Sequence, residues 1–261
     1  MVRCGSGPKP REGRGIFFLL GIVVGSFLNV CIHRIPRGES LVFPPSRCPL
    51  CGHRLAPADL VPVLSYIWLE GRCRYCGQRI SPRYPLVELA TGLAFELLYR
   101  TCGLGPGLVT RLVLVSALLV VAFIDARHYR IPNEIVVFLA IAGVALNFWT
   151  RELSWWQVPG GAAVGGGILG ALALLSRGGM GEGDVKLAAA TGLYLGPGRQ
   201  ALAIFLAALF GAVVGGVLVL LGRKRRRDPI PFAPFLAAGT MVACLWGDLL
   251  WLFYLSRAGL A

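Results

Sequence analysis

Gly178-Gly179-Met180-Gly181-Glu182-Gly183-Asp184-Val185-Lys186 sets one aspartate behind a run of glycines, at the start of an apolar segment of only 14 residues, 184–197. At 1.5 Å per residue that segment reaches about 21 Å, short of a hydrocarbon core of about 30 Å. It is either a short helix or one whose start lies below the membrane surface, and it carries Asp184 at that start. Glycine permits positive φ and close backbone approach, so such a run can present the carboxylate to a second backbone or let it move. A flexible loop closed by an aspartate helix cap has the same spelling. A second aspartate separates the two readings. Asp125 ends another apolar segment, inside Phe123-Ile124-Asp125-Ala126-Arg127-His128-Tyr129-Arg130-Ile131-Pro132-Asn133. Two carboxylates at the ends of two membrane helices form a constellation.

The rest of the chain supplies the membrane. Hydrophobic residues make up 56% of its 261 positions and charged ones 15%, and the mean hydropathy is +0.67, far more apolar than a soluble domain of this length. Eight apolar segments can be read, at 16–33, 86–102, 108–125, 134–149, 158–176, 184–197, 200–222 and 233–255. The expected fold is an all-α polytopic membrane protein of about eight transmembrane helices, with a small cytoplasmic module between the first two. The net charge of +13 would suggest nucleic acid in a soluble protein, but the basic residues fall in alternate loops and no nucleic-acid partner is expected. One face collects 17 of the 26 Lys and Arg residues and the other 9, so the positive-inside rule puts the first set, residues 34–83 included, in the cytoplasm. The basic tail holding Arg3, Lys9, Arg11 and Arg14 argues locally the other way. The first apolar run has no small-residue cleavage pattern and is expected to be retained. Arg223-Lys224-Arg225-Arg226-Arg227 reads as a cytoplasmic stop facing anionic lipid headgroups.

Three parts follow: a tail and first helix at 1–33, a cytoplasmic module at 34–85, and a membrane domain of about seven helices at 86–261. The module holds Cys48-Pro49-Leu50-Cys51-Gly52 and Cys73-Arg74-Tyr75-Cys76-Gly77. Four thiolates from two such pairs are the ligand set of structural zinc, and the glycine after each pair allows the turn that aims both sulfurs at one ion. Two redox pairs or disulfides are the alternative, disfavoured on a reducing face. About 50 residues make too small a core to stand alone, so the metal would supply much of the folding free energy. His53 is expected beside the cluster rather than in it. Gly25, Ser26 and Asn29 read as helix packing with an interhelical hydrogen bond. Glu96 reads as an i,i+4 partner of Arg100. Glu88, a carboxylate inside an apolar segment, stays open as a functional candidate, with Asp248 a weaker one.

There is no His-Glu-x-x-His and no Gly-x-Ser-x-Gly, which leaves the two aspartates as the candidates for hydrolysis. If Asp125 and Asp184 approach closely, repulsion prevents both from being ionised and the pair can share a proton. The ionised partner can then take a proton from a water while the other donates to a carbonyl oxygen. Gly181 and Gly183 would leave room for an extended substrate segment beside Asp184. Lys186 could tune the local potential or snorkel to the headgroups. A transporter using the aspartate pair as a proton or cation site is the alternative class.

Gly25-Ser26-Phe27-Leu28-Asn29-Val30, the two Cys-x-x-Cys-Gly knuckles, Arg83-Tyr84-Pro85-Leu86-Val87-Glu88, Asp125 with Ile131-Pro132-Asn133, and Gly181-x-Gly183-Asp184-x-Lys186 together resemble the prepilin peptidase family, in its motif order and over residues 25–200. The resemblance implies a multi-pass enzyme of the bacterial inner membrane. It would remove the short basic leader of type IV prepilins and pseudopilins on the cytoplasmic side, after a glycine. It also implies methylation of the new N-terminus with S-adenosylmethionine, for which no nucleoside-binding loop is legible; Glu88 is the one residue that could be put forward. Asp125 and Asp184 match the family's catalytic pair, and Cys48, Cys51, Cys73 and Cys76 match its zinc ligands. The basic N-terminal extension is not part of the family pattern.

Overall fold

A computed structural model describes residues 15–176, 180–225 and 228–257. The glycines at 178 and 179, Arg177, Arg226, Arg227, Cys4 and the basic tail lie outside the described residues. Eight α-helices follow in order: α1 (Ile16–Arg34), α2 (Leu64–Trp68), α3 (Arg83–Cys102), α4 (Pro106–His128), α5 (Asn133–Thr150), α6 (Gln157–Leu175), α7 (Glu182–Leu220) and α8 (Ala233–Arg257). Among the described residues there is no strand, only two isolated bridges at 47/54 and 72/79. Six helices, all but α2 and α3, are long and apolar enough to cross a membrane, and the protein is a multi-pass membrane protein.

The count of eight apolar runs is recovered once α7 is divided. Its 39 residues would make a straight rod of about 58 Å, nearly twice a bilayer core. Gly196, at φ 72 and ψ 173, is not helical, and Pro197 follows it. Only glycine adopts that φ readily, and proline can open a helix but not continue one. The buried Gln200 then donates from Nε2 to the Ala188 carbonyl at 2.9 Å and accepts from Thr191 Oγ1 at 3.2 Å. In a straight helix the Ala188 and Gln200 backbones would stand about 18 Å apart. The chain therefore reverses at Gly196, and α7 is a hairpin of limbs 182–195 and 197–220. The short sixth run of the sequence is the first limb. The run at 86–102 forms most of α3, which falls below the hydropathy of the other six.

The described residues fall into two compact units, one ending at Arg100 and the other beginning at Thr101. In the first, α1 and α3 run antiparallel at backbone contact. A Cβ at Gly21 would lie 2.7 Å from Gly92 Cα, and one at Gly25 would lie 2.7 Å from Glu88 Cα. Asn29 Nδ2 donates to the Tyr84 carbonyl at 3.0 Å, the interhelical bond read from the sequence, and Phe17 stacks on Tyr99. In the second unit, α6 packs on the first limb of α7 through Gly161 and Gly165. Their Cβ positions would fall 2.0 Å from the Gly192 carbonyl oxygen and 2.1 Å from that of Ala188. Small residues four apart on both helices allow this approach, which lipid offers no hydrophobic incentive to make otherwise. The limb also runs beside α5, with Tyr194 Oη donating to the Leu139 carbonyl at 2.9 Å. The second limb packs on α8, where Gly239 meets the Ala203 carbonyl.

Gly192→Ala forces a methyl to within 2.1 Å of the Gly161 oxygen and should destabilise the protein by about 1–3 kcal/mol, read as a lowered unfolding midpoint in detergent. Gly167→Ala, with open space at its Cβ, should leave the midpoint unchanged or slightly raised.

Candidate active site and metal centre

Asp125 stands in the last turn of α4 and is buried. Its backbone carbonyl accepts from Tyr129 N–H at 2.9 Å, closing the helix with Tyr129 in the left-handed region at φ 53. Its Oδ2 accepts from the Ala233 N–H at 3.1 Å, and Ala233 is the first residue of α8. Free N–H groups and the positive end of a helix dipole favour an anion there. Asp184 lies in the first turn of α7, its backbone N–H donating to the Gly181 carbonyl at 3.1 Å. Its Oδ1 is buried with no protein hydrogen-bond partner, and the residue before it, Gly183, packs on Ile131 in the link that follows α4. The two aspartates singled out from separate segments thus stand at the end of α4 and the start of α7, with the start of α8 on Asp125.

The glycines serve differently from the expected pliancy. Gly181 is the N-cap of α7 in ordinary extended conformation, φ −75 and ψ 146. Gly183 is helical, and its Cβ position would come within 3.0 Å of Ile131 Cβ. The missing side chain lets the start of α7 close on the link between α4 and α5, the Ile131-Pro132-Asn133 stretch beside Asp125. Lys186 is exposed and pairs with Glu182 at 3.3 Å, one turn away. Lys224, from the loop after α7, reaches the Tyr129 hydroxyl at 3.3 Å and lies over its ring; periodicity gave no signal for that contact.

The remaining carboxylates are engaged elsewhere. Glu88 is buried and accepts from the Val63 N–H at 2.7 Å, with the Ser26 hydroxyl beside it. Glu96 pairs with Arg100 at 2.7 Å, the i,i+4 contact expected. Asp248 receives two bonds from Arg199 Nη2, at 2.6 and 2.7 Å.

The four cysteines of the module converge, with all sulfur atoms within 4.8 Å of one another. Each knuckle is built alike. Cys48 N–H donates to the His53 carbonyl and Gly52 N–H to that of Cys48, while Cys73 pairs with Gln78 and Gly77 with Cys73. Gly52 and Gly77 sit at φ 70 and 68 with open space around them, so the turn alone requires glycine. The sulfurs of Cys48 and Cys76 are 3.9 Å apart, and the cluster holds no disulfide. A tetrahedron of metal–sulfur bonds of about 2.3 Å has an edge of about 3.8 Å, so the cluster fits a bound ion. Burial would raise the Cys48 thiol, but N–H groups of Cys51 and Leu50 and the neighbouring thiols bring it down to about 7. At Cys76 the Gln78 N–H favours the thiolate, yet burial and the other three cysteines push it up to about 11. Four thiolates need a cation among them.

Asp59 holds the module together and was not legible in the sequence. It accepts from Arg74 Nε at 2.7 Å, Tyr75 Oη at 3.0 Å and Ala56 N–H at 3.1 Å. Burial opposes its ionisation, but the Arg74 and Tyr75 bonds outweigh burial and hold the carboxyl below its ordinary range. His53 stacks on Tyr75 with ring centroids 3.7 Å apart, outside the sulfur cluster, and joins the first knuckle to the second.

Two family models match the chain: the bacterial peptidase A24 N-terminal domain over residues 19–102 and the type IV leader peptidase family over residues 112–216. The second match contains both aspartates. Among curated relatives, the prepilin leader peptidase/N-methyltransferase of Bacillus subtilis (strain 168) is 39% identical over 243 residues, covering 93% of this chain and 98% of the relative. The proteins of that name from Aeromonas hydrophila and Pseudomonas aeruginosa are each 35% identical, over 271 and 274 residues. Those alignments cover 93% and 92% of this chain and 93% of each relative. No solved structure matches the chain.

Replacing Cys48 and Cys51 by Ser removes two of the four ligands. Metal content of the purified protein should fall from about one ion per chain to near zero, measured by elemental analysis. Asp59→Ala should retain metal but weaken the module by about 2 kcal/mol, seen as faster proteolysis between residues 38 and 82.

Proposed function

Because the chain belongs to the type IV leader peptidase family, we propose that it is a membrane aspartyl endopeptidase that removes the basic leader of type IV prepilins and pseudopilins. The reading is supported by the placement of Asp125 in the last turn of α4 and Asp184 in the first turn of α7, where Gly183 packs on Ile131 of the link that follows α4. One carboxylate takes a proton from a water, whose oxygen attacks the scissile carbonyl carbon while the other carboxylate donates to the carbonyl oxygen. The tetrahedral adduct then collapses, the C–N bond breaks, and the proton held by the first carboxylate passes to the departing amine. Asp184 Oδ1, buried and without a partner, offers the open acceptor such a water needs. Gly181, Gly183 and Lys186 support the start of α7, Gly183 by its contact with Ile131.

The concentration of arginine between residues 34 and 83 supports a cytoplasmic position for the module and for the active site, in a bacterial inner membrane. The ion in the module is read as zinc, from its four thiolate donors and tetrahedral spacing. It holds the module's fold and has no place in the cleavage step. The relatives' names carry a second activity, and we extend it to this chain as methylation of the new N-terminal amine. S-adenosylmethionine would supply the methyl group. Glu88, the residue the sequence offered for that donor, is engaged instead by the Val63 N–H.

Asp125→Asn and Asp184→Asn should each lower leader cleavage by about 10²–10⁴-fold, assayed in membranes supplied with a prepilin, with metal content unchanged. Normal cleavage by both single variants overturns the protease reading. Mass analysis of the mature pilin N-terminus, with and without S-adenosylmethionine, tests the second activity; an unmodified amine in both removes it.

A further inference from the structure

Residues 35–82 form an excursion between α1 and α3, and α2 lies within it. Leu64, Ile67 and Trp68 stand on one face of α2 at i, i+3 and i+4. Their exposures are 64%, 66% and 86%. The opposite face is occupied: the Tyr66 ring packs on Gly71, and its hydroxyl lies 3.5 Å from the Ile80 carbonyl. A small module bathed only in water would not present three adjoining large apolar side chains in this way.

The position of α2 along α1 and α3 says what covers that face. Val63, the residue before α2, donates its N–H to Glu88 Oε2 at 2.7 Å. Glu88 is five residues inside α3, about 7.5 Å along the axis from Arg83, and helical side chains lean toward the helix N-terminus, here the end at Arg83. Gly25, against which the Glu88 backbone packs, lies nine residues, about 13 Å, before the end of α1. The anchor of α2 is thus within the length of the two paired helices rather than beyond their ends. The excursion also carries eight arginines between residues 34 and 83 against Glu39, Asp59 and Glu70, a surplus that suits an anionic leaflet.

We propose that Leu64, Ile67 and Trp68 of α2 insert at the boundary between headgroups and acyl chains of the anionic leaflet where α1 ends and α3 begins, holding the four-cysteine module down on the membrane. Tryptophan prefers that boundary, where its ring meets hydrocarbon and its N–H meets headgroups. Glu88 is then a positioning residue that sets the depth of α2 through Val63. The inference is independent of the peptidase reading.

The test uses the full-length protein in nanodiscs of phosphatidylglycerol and phosphatidylcholine, with and without brominated acyl chains. The chain has six tryptophans, so the fluorescence of Trp68 is taken as the difference between wild type and Trp68→Phe. That difference should be blue-shifted, quenched by brominated lipid and poorly quenched by aqueous acrylamide. In a Leu64→Ser, Ile67→Ser variant that retains its metal, acrylamide quenching of the Trp68 contribution should rise severalfold. The proposal is overturned if the wild-type contribution is quenched by acrylamide and indifferent to brominated lipid. It is equally overturned if Trp68 becomes shielded only when a prepilin is added, which would make this face a protein contact.

Discussion

The position of Asp184 depends on the first limb of α7 lying at backbone distance from α6. In a bilayer, helices gain no hydrophobic free energy by leaving lipid for each other, so close packing and satisfied polar groups must hold them. Gly161 and Gly165 against Gly192 and Ala188 give the packing, and Gln200 and Tyr194 give the polar closures. The limb is fixed at three heights: by Ile131 against Gly183 at its start, by Tyr194 on Leu139 midway, and by the reversal at Gly196 at its end. Asp184 has little freedom left, because it sits one residue beyond the first of these fixings. Asp125 is fixed independently, through the N-terminus of α8.

This separation matters for how the site tolerates change. A larger side chain at Gly192 or Gly165 acts on Asp184 by moving a helix, whereas a change at Ala233 acts on Asp125 by moving a hydrogen-bond donor. The two carboxylates are therefore held by different parts of the bundle, and either can be displaced while the other stays. At the opposite end of these helices, Arg111 pairs with Glu152 at 2.9 Å and Arg199 with Asp248. Such pairs contribute modestly to stability when partly buried but cost a great deal when one partner is removed.

The elements legible in the sequence were those set by spacing along the chain. Cys-x-x-Cys-Gly repeated twice dictated the knuckles, because the turn geometry is local and glycine is required at φ near 70. The i,i+4 pair of Glu96 and Arg100 was legible for the same reason, as was the break after residue 197, marked by Gly196 and Pro197. Contacts fixed by tertiary approach were not legible. Glu88 looked like a candidate for chemistry because a carboxylate inside an apolar run is costly, and only the fold reveals that Val63, 25 positions earlier, meets it. Asp59 gave no signal, since its partners Arg74 and Tyr75 come from the far side of the module. The flexibility first read into Gly181 and Gly183 proved to be close approach at Gly183 and an ordinary helix cap at Gly181, two roles that the same glycine spelling cannot distinguish.

The asymmetry of the two carboxylates bears on how a substrate is received. Asp125 already accepts the N–H of Ala233 at the head of α8, a bond that helps hold α8 and would be lost if a ligand took its place. Asp184 Oδ1 is buried and has no donor from the protein, so its lone pairs remain open to a water or an incoming amide. On the proposed reading, the water or the scissile amide completes the hydrogen bonding of Asp184 rather than competing for that of Asp125.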